Sequence, residues 1–328
     1  MLFSIPEGDF MKAKRIWVTG SANMDVVLSI ERAPRPGETI AVGSQSLIPG
    51  GKGANRAVAL ARLGANPVFS CCLGDDLTGA ALADLYRSEG LDESEISTVK
   101  GSGSGTAYIF LEKDGSNRIA VFAGANDSFK DEKISSFTSR LDEVSMLCSE
   151  LEIPVSSVER LIYEARSRDV PVIIDTAPVK PDVRLSMFKG VYVLSPNESE
   201  AEALTGIHIT DEKSAREACR ALHECGVKYA LIKLGKNGSI CFDGKDFILC
   251  PVFDKAGKVV DTTAAGDSYM AGLCKAVSDG MTMENAMRYA TVVAGIAVTR
   301  FGAVPSLPRL DEVEDMIRQY PAQAGINP

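Results

Sequence analysis

Six short apolar runs, alternating with helical patterns or polar clusters, constrain this chain more than any other feature. The runs are Ile16–Thr19, Val68–Cys72, Ser145–Leu147, Val172–Ile174, Tyr192–Leu194 and Ala230–Lys233. Apolar residues recur at helical spacing over Ala54–Leu63, Ala80–Ser88, Val155–Ser167 and Ser214–Glu224. Gly64, Gly90 and Gly226 stand just past three of these segments, where a helix end favours a residue that tolerates positive φ. Continuous apolar strands alternating with helices predict a parallel sheet covered on both faces, an α/β fold.

Two stretches break that rhythm. Val26–Leu47 and Thr106–Val121 alternate apolar and polar residues without a helix, and read as antiparallel strands turning at Pro34–Gly37 and Asp114–Asn117. They predict a small sheet projecting from the main body, built from about residues 25–49 and 104–123. The 328 residues then form one large domain over 11–328 with this appendage, and residues 1–10 a loose extension.

Composition narrows the chemistry. Thirty-five basic against 44 acidic residues give a net charge of −9, which argues against a general nucleic-acid binder. No run approaches the roughly 18 apolar residues of a membrane span, and the first ten residues lack the pattern of a signal peptide. The eight cysteines form no C-x-x-C pair and sit in runs such as VFSCCLG, as expected for reduced thiols of a cytoplasmic protein. With only His208 and His223 available, catalysis would rest on carboxylates, lysines, backbone amides and bound cations.

Open parallel sheets bind ligands beyond the carboxyl ends of their strands. In this chain those ends carry Asn23 and Asp25, then Gly74, Asp75 and Asp76, then Glu150 and Glu152, then Asp175, then Asn197, Glu198 and Glu200, then Gly235. A shared cleft is the expectation.

Two segments carry the sharper signal. Pro49-Gly50-Gly51-Lys52-Gly53-Ala54-Asn55 leads a helix, and its glycines let the backbone approach a ligand, with Lys52 and Asn55 as a polar clamp. It is neither a Walker A loop nor the glycine fingerprint of a dinucleotide fold. Asp261-Thr262-Thr263-Ala264-Ala265-Gly266-Asp267 leads into a helix over Ser268–Val277. Small residues at a helix start expose free amides that attract an anion. Asp267 there either caps the helix or acts as a base while the amides stabilise charge on a transferred phosphoryl group.

The pair GGKGAN and DTTAAGD resembles the PfkB (ribokinase-like) carbohydrate kinase family. GSANMD, PGGKGANRAVALARLGA, GDD, TGAA, DTAP, PNESEAEALTG, LIKLGKNG and AVTRFGAVPS extend the resemblance from Ile16 to Asp315, nearest to the ribokinase branch. The resemblance implies an αβα sandwich with a mostly parallel central sheet, a small β-sheet lid, ATP as phosphoryl donor and a homodimer joined through the lids. It implies phosphorylation of a pentose hydroxyl, D-ribose to D-ribose 5-phosphate. The alternatives are 2-deoxyribose, another sugar, a nucleoside or a sugar phosphate, and outside catalysis a sugar or nucleotide sensor. Matched residue by residue, Asn23, Asp25, Gly51, Lys52, Asn55 and Glu152 would contact sugar. Asp267 would be the base, with Ala264, Ala265 and Gly266 as anion hole. Asn197 and Glu200 would organise Mg2+ through waters, and Asn197, Lys233, Gly235, Gly238 and Gly266 would meet the nucleotide. A monovalent cation, K+, would take Asp261 and Ser306 side chains and the carbonyls of Thr263, Ala297, Arg300 and Gly302. Two positions depart from the ribokinase pattern. Arg56 stands where glutamine is usual; it either lies on the helix surface, the favoured reading, or points into the site and alters sugar preference, and Lys233 stands where threonine is common.

Overall fold

The computed structural model describes residues 14–114 and 116–326, so the extension expected at 1–10 lies outside the described residues. In chain order the strands are β1 (Arg15–Thr19), β2 (Asn23–Ile30), β3 (Ser44–Gly50), β4 (Val68–Gly74), β5 (Ile96–Val99), β6 (Gly105–Glu112), β7 (Asn117–Phe122), β8 (Val144–Ser149), β9 (Val172–Ile174), β10 (Val193–Leu194), β11 (Tyr229–Lys233), β12 (Ser239–Phe242) and β13 (Phe247–Cys250). The helices are α1 (Lys52–Arg62), α2 (Leu77–Ser88), α3 (Asp131–Ser139), α4 (Val155–Arg166), α5 (Glu198–Thr205), α6 (Glu212–Glu224), α7 (Ala265–Ser278), α8 (Met283–Ala297), α9 (Leu310–Gln319) and α10 (Pro321–Ala324).

All six predicted strands join one sheet, in the order β13-β12-β11-β10-β9-β8-β1-β4-β5. Strands β11 through β5 in that row run parallel, and only β12 and β13 are antiparallel to their neighbours. Alternation along β1 explains the two covered faces. Ile16 and Val18 pack with α1, α2, α7 and α8, while Trp17 points the other way into a cluster with α3, α4 and α6. Trp17 meets Phe137 edge to face, with ring centroids 5.4 Å apart. The result is a helix–sheet–helix sandwich.

The second sheet has the order β3-β2-β6-β7. Its two hairpins, β2–β3 and β6–β7, are antiparallel as expected, but the central pair β2–β6 is parallel, in register from Asn23 opposite Gly105 to Ile30 opposite Glu112. The pairing between the two hairpins, which the sequence left open, is thus parallel. The hairpins are separate insertions divided by α1, α2, β4 and β5, so they meet side by side, each leaving the main sheet in the same direction. The first connection is long, residues 31–43; Glu38 N–H donates to Arg35 O at 3.0 Å within it, and Gly43 N–H to Ser29 O at 2.8 Å closes it.

Strand order diverges from β1, with β4 on one side and β8 on the other. Beyond the carboxyl ends at such a point a crevice opens.

Candidate active site

Side-chain alternation along β2 puts Asn23 and Asp25 on one face, toward the N-terminus of α1. Asn126, buried in the turn after β7, fixes Asn23 by donating to its Oδ1 at 2.8 Å, and accepts from the Ala22 amide at 3.0 Å. Asn126 carries no motif, and its role was invisible in the sequence. Glu152, beyond β8, accepts from the Ser21 hydroxyl. The glycines bring α1 against these groups. Gly51 has φ of 91°, and a Cβ there would lie 2.7 Å from the Asn23 nitrogen. At Gly53 a Cβ would lie 2.5 Å from the Gly20 carbonyl carbon, so no larger residue lets α1 approach the β1 loop.

Around them lies a cavity of about 600 Å³. Its polar lining includes Asn23, Asp25, Lys52, Asn55, Glu152, Asp261 and Asp267, and Gly51 forms part of its floor. Val27, Ala107, Ile109, Ile119 and Val121 of the second sheet supply an apolar wall. Asn55 is buried and donates from Nδ2 to Oδ2 of Asp267 at 2.8 Å. Its Oδ1 has no partner among the described residues, an acceptor left for a ligand hydroxyl.

A second cavity of about 500 Å³ adjoins it, lined by Asp175, Asn197, Glu198, Glu200, Lys233, Gly235, Thr262, Ala264 and Gly266. Lys52 and Asp267 border both cavities. Asp267 sits in the first turn of α7 but makes no capping bond to that helix, which rejects the capping reading. Ala264 adopts φ of 59°, a left-handed conformation that costs a non-glycine residue roughly 1 kcal/mol or more, and turns the chain into α7. The Ala265 amide donates to Thr262 O at 3.2 Å. The Gly266 and Asp267 amides have no protein acceptor among the described residues, and a Cβ on Gly266 would meet only open space. The Ala264 amide is likewise without a protein acceptor and Ala264 borders both cavities, so of the residues expected to form an anion hole only Ala265 has its amide engaged.

Asn197 and Glu200 form a reciprocal capping box on α5 and at the same time border the second cavity. Thr176 donates to Glu200 at 3.1 Å. Gly235 lines the cavity with open space before it, whereas Gly238 does not; its φ of 86° instead serves the tight turn into β12. Gly74, Asp75 and Asp76 also stay outside both cavities: Asp76 caps α2 and takes the Ser104 amide at 2.8 Å.

Arg56 differs most from expectation. Far from lying on the helix surface, it has 0% exposure. Its guanidinium donates to Asp175 at 2.8 Å, to Asp267 at 3.0 Å and to Ser149 O at 3.3 Å. Lys233 reaches Asp175 from the other side at 2.9 Å and donates to Ser195 O at 2.9 Å. The two departures from the ribokinase pattern therefore share one carboxylate.

Charge crowding sets the electrostatics. Burial, with repulsion from Glu152 and Asp267, pushes the Asp25 carboxyl up to about 7. Burial and Glu152 likewise raise buried Glu150, whose carboxylate accepts from the Ser21 amide at 2.7 Å. Burial alone would lower the Lys52 ammonium, but Asp267, Glu152 and Asp175 outweigh it and hold it above the usual lysine range. Burial and neighbouring Asp175 raise Glu200.

Beside the anion loop, Asp261 accepts from the Gly302 amide at 2.9 Å and the Thr263 amide at 2.9 Å, drawing residues 261–263 and 300–306 into one corner. Burial would raise its carboxyl, yet these amides hold it below the usual carboxylate range. Ser306 is buried and donates to Ala303 O at 2.7 Å. The Ala297 carbonyl accepts from the Arg300 amide at 3.1 Å. Among the described residues no cluster of three His, Cys, Asp or Glu side chains could grip a metal by itself. No helix among them is long and apolar enough to cross a membrane. The eight cysteines are free thiols, seven of them buried.

Comparison with known proteins places the chain in a family. Residues 13–310 match the pfkB family of carbohydrate kinases. The chain is 34% identical to a ribokinase of Haemophilus influenzae over 307 residues, covering 93% of this chain and 98% of that one. It is 27% identical to a deoxyribokinase of Salmonella typhi, covering 92% and 98%. The ribokinase of Arabidopsis thaliana, solved with ribose and ATP, superposes with a TM-score of 0.87 at 31% identity, covering 93% of this chain and 99% of that one. The chain therefore belongs to the pfkB family of carbohydrate kinases, and is a phosphotransferase acting on a sugar hydroxyl.

Proposed function

We propose that this enzyme transfers the γ-phosphoryl group of ATP to a pentose, D-ribose at O5, with Asp267 as general base. The observation that carries the reading is the position of Asp267 on the border of two cavities, one rich in hydroxyl partners and the other floored by free amides. Sugar would lie in the first, held by Asn23, Asp25, Lys52, Asn55 and Glu152 against Gly51. A carboxylate such as Asp25 accepts from two adjacent hydroxyls and so suits a diol. Four acids and one lysine line that cavity, while Arg56 is already engaged. Such a lining favours an uncharged sugar over a sugar phosphate.

The nucleotide's phosphates would enter the second cavity past Gly235 and Lys233. As the sugar oxygen attacks phosphorus in line, its proton passes to Asp267 and the P–O bond to ADP breaks. The Gly266 and Asp267 amides stabilise the spread charge, and positioning and electrostatics dominate such transfers. Asn197 and Glu200 are occupied by their mutual capping bonds, which suits an ion held through its waters. They would hold Mg2+ in that way, and the ion would supply charge neutralisation at the phosphates. Asp261, Ser306 and the carbonyls of Thr263, Ala297, Arg300 and Gly302 would offer an all-oxygen set of the kind a hard monovalent cation such as K+ prefers. The second sheet would act as a lid excluding water. Its outer face exposes Leu47 (61%) and Tyr108 (43%), which supports pairing of two chains through their lids.

The test is Asp267→Asn in steady-state assays with ribose and ATP. A general base contributes about 10²–10⁴-fold, so kcat falls by that order while the fold persists. Near-parental turnover removes Asp267 from the mechanism. A substrate panel of ribose, 2-deoxyribose and nucleosides decides the sugar: ribose gives the highest kcat/KM if this reading holds.

A further inference from the structure

We infer that Arg56 is a positioning residue for the base, its guanidinium fixing one oxygen of Asp267 while Asn55 fixes the other; this rests on Asp267 being the base. Arg56 Nη2 meets Oδ1 at 3.0 Å, and Asn55 Nδ2 meets Oδ2 at 2.8 Å. With one donor on each oxygen, the carboxylate can rotate only by breaking a charge-assisted bond. Each oxygen keeps a second lone pair, and 6% exposure confines access to the cavity side.

A structural role alone does not account for the contact. The obvious structural task for a buried arginine is to neutralise a buried acid, here Asp175 at 2.8 Å. Asp175 already has a cation, Lys233, at 2.9 Å on its other oxygen. Asp267 has no second ion pair within 4 Å among the described residues. The chain Asp267–Arg56–Asp175–Lys233 thus runs from the base to the wall of the phosphate-side cavity, and its one link to the base is Arg56. Charged groups facing Asp267 are Lys52 and Arg56 of α1, Asp25 of β2 and Asp175 after β9, with the Cys148 thiol of β8 near by. Removing Arg56 takes away the donor on one oxygen of the base and frees that carboxylate to turn away from the cavity.

Five variants test this in the full-length enzyme: Asp267→Asn, Arg56→Gln, Arg56→Lys, Asp175→Asn and the double Arg56→Gln/Asp175→Asn. The double variant removes one buried charge of each sign, so it remains informative even where Arg56→Gln alone does not fold; circular dichroism and thermal melting verify folding. The expected result is a double variant with sugar KM within about twofold of Asp175→Asn but kcat roughly tenfold or more lower, since the base is present yet misaligned. Arg56→Lys, which keeps the charge but not the planar fork, loses only part of kcat and leaves sugar KM near the parent's. Equal kcat in the double variant and Asp175→Asn would overturn the proposal, as would a loss carried in sugar KM rather than in kcat. Parental turnover in Asp267→Asn would instead remove the base reading on which it rests.

Discussion

Asp25 stands in a cavity that also holds Glu152 and Asp267, and desolvation with that repulsion carries its carboxyl to about 7. An aspartic acid whose folded pKa lies above its unfolded value binds protons more tightly when folded. Its effect on stability is therefore most favourable at low pH and declines as pH rises toward 7. Binding has the opposite sign, because a diol is accepted by the ionised form. Sugar KM should fall as pH is raised from 6 to 8, by up to roughly tenfold, and Asp25→Asn should give a high KM that no longer responds to pH. A pH-independent KM in the parent enzyme would reject this role. At this scale the sequence was informative wherever a motif named the residue, as for Asp25, Lys52, Asn55 and Asp267. It failed for Arg56, which helical position alone put on the surface. A guanidinium buried against two carboxylates is a tertiary fact: Asp175 and Asp267 lie 119 and 211 residues away in the chain.

At the scale of elements, α7 delivers Asp267 and is held in place by α8. Gly272 permits their contact; a Cβ there would sit 2.9 Å from Ala290 Cα and 3.0 Å from Val293 Cγ2. Gly272→Val should therefore push the helices apart, cost about 1–3 kcal/mol of stability and lower kcat as the anion loop shifts. A chemical denaturation midpoint unchanged from the parent would show that the packing yields without cost. The sequence announced α7 through its small-residue start but gave no amphipathic signal for α8, in which Ala286, Met287, Ala290, Val292, Val293, Ile296 and Ala297 are all buried. A helix apolar on most sides loses the periodicity by which helices are read. The same holds for the central pair of the second sheet. Alternation marked β2 and β6 as strands, but strand direction depends on how two distant insertions meet.

For the whole molecule, the large sheet is a rigid base and the second sheet is an appended wall with two surfaces. Its inner side chains line the sugar-side cavity, whereas Leu47 and Tyr108 on the outer side face solvent in the single chain. If two copies pair there, sedimentation gives twice the mass expected for one 35.0 kDa chain, and Leu47→Glu with Tyr108→Glu halves it. A parent that sediments as a monomer at assay concentration would reject lid pairing. Because the lid also walls the active site, the monomeric variant should show a raised sugar KM before any loss of melting temperature.

The sequence by itself determined the class of fold, since strand and helix periodicities and glycine stops are local properties of the chain. It also located the glycine-rich turn before α1 and the small-residue turn before α7, since both are written in residue type. Tertiary structure decided which polar strand ends share the site: Asp175 joins it, while Asp75 and Asp76 turn away to serve α2 and its neighbouring loop. It decided the partners of every buried charge as well. An ion pair depends on distances between residues remote in sequence and on the water removed around them, and neither quantity exists until the chain has folded.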